Sequence, residues 1–169
     1  MKLFQYYPTI IYDGILATNI MVRAKIRDAI KSDSFVYYQY QVTDSDRPDI
    51  LATKYYGNPT YTWAIFYAND IYDPLTEWPL TTNQFNNYVA EKYGSIQIAM
   101  ITPHHYLLNN QYVIDKTTYD DVNVPENTKS IVTNYDYESE LNESKRNIKI
   151  IDSLYITQLV NEMSQIFQS

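Results

Sequence analysis

The spacing of apolar and polar positions changes period several times along this chain, and each change marks an element. Val36 to Val42 alternates and is rich in tyrosine and valine, as a strand with one buried face does. Over 47–56 the spacing becomes three-to-four, at Ile50, Leu51, Lys54 and Tyr55, which predicts a helix. Pro48 fits its first turn, where a missing N–H costs nothing, and Asp44, Ser45 and Asp46 are natural caps. Gly57 stops this helix, because glycine takes the left-handed C′ conformation without strain. Asn58-Pro59 then restarts one over 59–69, with Trp63, Phe66, Tyr67 and Asp70 along a side. Two short helices with almost no loop between them predict an αα-hairpin packed on the strand.

Residues 1–17 are apolar and aromatic, interrupted by Pro8 and Gly14, and read as an extended arm. In 19–31 Val22, Ile26, Ala29 and Ile30 make a helical stripe while Ile20, Val22, Ala24 and Ile26 alternate as a strand would, and length and good helix formers favour the helix. After the hairpin, Pro74 and Pro79 argue against regular structure, and Trp78 folds back onto the two helices. Thr81 or Thr82 caps a helix that runs to Tyr93 and stops at Gly94, with Phe85, Tyr88 and Val89 buried. From Ser95 the period drops to two at Ile96, Ile98 and Met100, a strand pattern, and residues 104–116 predict a β-hairpin turning at Asn109-Asn110. Residues 117–133 are polar and read as a surface loop. A helix from Tyr135 to about Arg146 has its acidic residues early and its basic residues late, and Asn147 to Ile151 reads as a short extended link. The last helix, 153–167, is capped by Asp152 or Ser153 and carries Ile156, Leu159, Val160, Met163 and Phe167 on one face.

Composition narrows the function. A chain of 169 residues can bury a real core, and with no cysteine it has neither disulfides nor thiolate metal sites. No apolar stretch nears the ~20 residues that span a bilayer, and no secretory signal is visible. A net charge of −7 argues against nucleic acid as a partner. Basic residues cluster at Arg23, Lys25, Arg27 and Lys31 and at Lys145, Arg146 and Lys149, best read as solvated faces or local ion pairs. Nineteen tyrosines are the outstanding number, and tyrosine is favoured on surfaces that are wet before assembly and buried after it.

Catalytic patterns are sparse. The serines sit in no nucleophile elbow, and three isolated glycines make no phosphate loop. His104 and His105 are adjacent, so alternation turns them apart and away from a shared metal. Glu77 and Glu91 lie near aromatics, but twenty acidic residues guarantee such coincidences. The chain reads as a non-enzyme with no cofactor and no metal.

The segment DRPDILATKYYGNPTYTWAIFYANDIYDPLTEW, residues 46–78, resembles the baseplate wedge protein family of contractile-tailed, T-even-like bacteriophages, a family with a LysM-like region. A second stretch, TNYDYESELNESKRNIKIIDSLYITQLVNEMSQIF at 133–167, is similar to the helical tail of the same family, with weaker likeness in LFQYYPTIIYDG and in the KYG and HHY groups. The resemblance implies a structural subunit of the virion's tail baseplate, assembled in the host cytoplasm. It would join neighbouring wedges into a closed ring and contact other wedge proteins and sheath-proximal inner baseplate proteins. The alternative is a LysM-type peptidoglycan-binding module.

The expected fold is α+β, a LysM-like strand–helix–helix unit with an added β-hairpin and C-terminal helices. Its segments are an arm and helix at 1–35, the hairpin region at 36–116, a loop at 117–133 and a helical tail at 134–169. Two adhesive patches are expected, one at Tyr55, Tyr56, Tyr61, Trp63, Tyr67 and Trp78, the other at Leu159, Val160, Met163, Ile166 and Phe167. Each of these residues has an ordinary alternative as part of the subunit's own core.

Overall fold

A computed structural model describes residues 7–19, 21 and 36–168, leaving aside the side chains of 163, 164 and 166–168. The fold is α+β. In chain order the elements are β1 (Thr9–Tyr12), β2 (Ile15–Thr18), β3 (Tyr37–Gln41), α1 (Pro48–Tyr56), a 3-10 turn (Pro59–Tyr61) leading into α2 (Thr62–Ala68), α3 (Pro74–Glu77), α4 (Thr82–Tyr93), α5 (Ile96–Ile101), β4 (Pro103–Leu108), β5 (Tyr112–Ile114), α6 (Lys116–Asp120), β6 (Lys129–Thr133), α7 (Asn134–Ser144), β7 (Asn147–Ile151) and α8 (Ser153–Gln168). The chain divides into two compact units, residues 1–78 with 147–169, and residues 79–146.

In the first unit β3 pairs antiparallel with β7, from Tyr37 opposite Ile151 to Gln41 opposite Asn147. The segment expected to be a link is therefore the partner strand. It completes a strand–helix–helix–strand order whose last member lies far along the chain. The hairpin between the strands forms as its residues dictate. Pro48 opens α1, Gly57 closes it at φ 72°, and the Asn58 side chain accepts from the Thr60 backbone to start the next turn. One detail differs. The N-cap of α1 is Arg47, with no side-chain capping bond, and Asp46 turns back instead to accept from the Thr43 backbone and hydroxyl and from the Tyr40 hydroxyl. Leu51, Ala52 and Ile65 pack with Val42, Ile148 and Ile150 in one buried cluster; Trp63, Ala64 and Ala68 pack with Tyr37, Ile151 and Ile156 in another. Burying Leu51 alone stabilises the unit by roughly 2–3 kcal/mol.

Asn69, the residue after α2, stitches helix to sheet. Its Nδ2 donates to the carbonyls of Ile65 and Lys149, both at 2.8 Å, and its Oδ1 accepts from the Lys149 backbone at 2.7 Å. Pro74 does not prevent regular structure. It opens the single turn α3, where Asp73 accepts from the Leu75 backbone. Apart from these elements, Thr9–Thr18 forms the β1–β2 ribbon, closed by Asp13 and Gly14 at φ 51° and 74°. The expected helix at 19–31 lies outside the described residues, apart from Asn19 and Met21, which are not helical, as do the basic residues Arg23, Lys25, Arg27 and Lys31.

In the second unit β4 is the middle strand of three, with β5 and β6 on its flanks. The β4–β5 turn has Asn109 and Asn110 at φ 54° and 56°, the positive angles their identity predicts. Two expectations fail here. The alternation at 96–100 belongs to the helix α5, capped by Ser95, whose Oγ accepts from the Ile98 backbone. Six residues are too few for period alone to separate strand from helix. The expected loop at 117–133 instead holds α6, a 3-10 turn at Glu126–Thr128 and the whole of β6. Strand β6, with Ile131 and Val132 at the end of a polar stretch, is held by its partner β4; Lys129 buries its side chain and donates to the Asp121 carbonyl and the Glu126 carboxylate. Both longer helices, α4 and α7, begin with reciprocal capping boxes, Thr81 with Gln84 and Thr133 with Asp136.

Candidate interaction surfaces

The first expected patch is assembled by the end of α1, the turn and α2. Edge-to-face ring contacts run through it: Tyr40 with Tyr55 at 5.8 Å, Tyr56 with Tyr61 at 6.2 Å, Trp63 with Tyr67 at 5.8 Å, and Phe66 with Trp78 at 6.3 Å. This is the arrangement that ring quadrupoles favour. Trp63 is buried, whereas Tyr55, Tyr56, Tyr61, Tyr67 and Trp78 are half-buried. Trp78 packs against the Leu51–Ile65 cluster, as expected of a loop that folds back. The Tyr67 hydroxyl shares a 3.0 Å hydrogen bond with that of Tyr7. Burial pushes the proton affinities of Tyr56 and Tyr67 up, so both hydroxyls stay protonated.

Of the second patch, Leu159 and Val160 pack against the same cluster as Tyr56, Tyr61 and Tyr67, and Ile156 beside them is buried. The first half of α8 is thus part of the first unit's core. The side chains of Met163, Ile166 and Phe167 lie outside those described. The structure brings Tyr56, Tyr61, Trp63, Tyr67, Leu159 and Val160 to one cluster, with Tyr55 and Trp78 at the neighbouring one that Tyr56 also touches.

Other candidates resolve into structural roles. Glu77 accepts from the backbone N–H groups of Tyr72 and Asp73 at 2.6 and 2.8 Å, closing the loop around α3. In the second unit Glu138, 6% exposed, accepts from Lys92 Nζ at 2.7 Å, Tyr93 at 2.8 Å and Tyr88 at 3.1 Å. Burial pushes its carboxyl up, but the three donors outweigh burial and hold it below the usual range; the same bonds raise Lys92. Arg146 pairs with Glu143 at 2.8 Å, a local ion pair of the kind the sequence implied, whereas its bond to the Leu80 carbonyl and the position of Lys149 over the Tyr37 ring are long-range contacts.

The two histidines depart from expectation. A register irregularity in β4 between Pro103 and His105 breaks the alternation, so His104 and His105 turn together, Nδ1 to Nδ1 at 2.8 Å, with Tyr137 stacked on His104 at 3.8 Å. Among the described residues no three His, Asp or Glu side chains gather to hold a metal ion, and no helix is long and apolar enough to cross a membrane.

One surface is absent from the expected patches. Ile10, Ile11, Tyr12, Ile15 and Leu16 of the β1–β2 ribbon are all exposed. The signal for the ribbon is in the sequence: Asp-Gly flanked by apolar residues is a strong two-residue hairpin marker.

Comparison with known proteins agrees with the two resembling stretches. The family model described as "Base plate wedge protein 53" matches residues 13–163. The chain is 29% identical over 145 residues to baseplate wedge protein gp53 of Enterobacteria phage T4, covering 76% of this chain and 72% of that one.

Proposed function

The chain belongs to the base plate wedge protein 53 family, and from that membership we propose that it is a structural subunit of a phage tail baseplate wedge that joins neighbouring wedges into the closed ring. The match across residues 13–163 carries this reading, since it spans both compact units. Its partners are other wedge proteins and sheath-proximal inner baseplate proteins, and its place is the virion tail, assembled in the host cytoplasm.

The physical case is one of adhesion without turnover. A ring-closing subunit works through several patches, each weak alone, which hold only when the neighbours are present together. The half-buried rings of Tyr55, Tyr61 and Trp78 supply one, braced edge-to-face by Tyr40, Tyr56 and Phe66 in turn. The end of α8, with Met163, Ile166 and Phe167, supplies a second. Glu77 is engaged on backbone N–H groups and Glu138 with Lys92 and two tyrosines, which supports a non-enzymatic role.

The test is direct. Mass spectrometry of purified baseplates should find the chain there in a fixed ratio to the other wedge proteins, and the isolated chain should neither bind nor hydrolyse peptidoglycan sacculi. Retention on sacculi together with absence from baseplates would favour the glycan-binding alternative.

A further inference from the structure

Towards its turn the β1–β2 ribbon is apolar on both faces. Side chains alternate along a strand and cross-strand partners share a face. The pairs Ile10 with Ala17 and Tyr12 with Ile15 therefore lie on one face, and Ile11 with Leu16 on the other, where Thr9 with Thr18 forms the uncharged base. On the first, Ile10, Tyr12 and Ile15 are 41%, 73% and 69% exposed; on the second, Ile11 and Leu16 are 78% and 69%. Asp13 in the turn is the only charge between Thr9 and Thr18. The base is rooted: Tyr7 packs against the core and pairs with Tyr67, and the Asn19 N–H donates to the Pro8 carbonyl at 2.7 Å.

We propose that this ribbon inserts between two uncharged, apolar protein surfaces presented by neighbouring baseplate subunits. The proposal rests on the reading of the chain as a wedge subunit and names a contact for it. Three features select the occupant. Antiparallel strands with one wet face alternate apolar with polar; strands apolar on both faces are those covered on both. A second copy of the chain does not meet this need, since two stacked ribbons cover only one face of each. The two or three side chains of one face also fall well short of the roughly 800 Å² per partner that a stable association buries. Charge points the same way: the lone carboxylate sits at the turn, where it stays in water while the neutral flanks are covered. So small a contact holds only alongside other patches of the same subunit.

A photo-crosslinking residue placed at Ile11, and separately at Tyr12, samples the two faces in assembled tails. Both positions should crosslink to other baseplate chains, and the two should yield different partner peptides. Crosslinks that stay within this chain, join two copies of it, or arise from one face alone would overturn the proposal. A double variant, Ile11→Asp with Leu16→Asp, should keep the wild-type melting temperature and enter tails at about a tenfold lower level. Wild-type incorporation of this variant, or its unfolding, would sink the ribbon contact and leave the baseplate reading intact; absence of the unaltered chain from tails would sink that reading itself.

Discussion

At Asn69 a single side-chain amide makes three backbone hydrogen bonds, behaving like a peptide group added to the edge of β7. Asn142 bridges distant segments in the other unit with two such bonds, accepting from the Leu80 N–H and donating to the Leu80 carbonyl. Neither was legible from the sequence, because nothing local separates an asparagine that bridges distant segments from one that merely tolerates a turn. Asn69→Asp removes the two donors and sets a carboxylate against two carbonyls, so it should cost about 1–3 kcal/mol, measured as a lower urea midpoint. Tyr37 gives the opposite sign. Its buried hydroxyl has no hydrogen-bond partner among the described residues, so Tyr37→Phe should melt at or above the wild-type temperature. Glu138 carries a pH dependence. Its carboxyl binds a proton less readily folded than unfolded, so its contribution is complete above the ordinary value of 4.5 and is lost as pH falls below it. Glu138→Gln should lower stability by about 1–3 kcal/mol at neutral pH and flatten the acid limb of the melting curve.

Among the elements, those with explicit local signals were legible: α1 between Pro48 and Gly57, α4 between Thr81 and Gly94, the Asn109-Asn110 turn, and α7 from its early acidic and late basic residues, though not its Thr133 cap. Their signals are stereochemical and local. The elements missed are those whose reason lies elsewhere in the chain. Strand β6 is five residues at the end of a polar stretch and needs β4, and α5 is too short for its period to speak. The Asp13-Gly14 marker was there to be read, but the aromatic residues before it pointed to an arm. Helix α8 was legible as a helix, though its division of labour was not: the apolar stripe runs unbroken from Ile156, which is buried, through Val160, which packs on the core, towards Phe167. Truncation after Val160 should therefore leave a cooperative fold that no longer joins wedges, whereas truncation after Asp152 should destabilise the first unit by several kcal/mol through loss of Ile156, Leu159 and Val160. Equal thermal stability of the two truncations would remove α8 from the core.

For the whole molecule, the sequence carried the α+β class and the resemblance, and missed the topology. Strand β3 waits for a partner more than a hundred residues away, and the segment between α3 and β7 holds a unit with its own buried centre at Phe85, Val89 and Ala99. Such a chain has two bodies on which to distribute contacts, the arrangement a wedge-joining subunit needs. The measurement that bears most directly on this role is electron microscopy of tails from phage lacking the chain, with and without the chain resupplied. The account predicts separate wedges and no closed baseplates in its absence, and closed baseplates when it is restored. Closed, sheath-bearing baseplates formed without it would contradict the account.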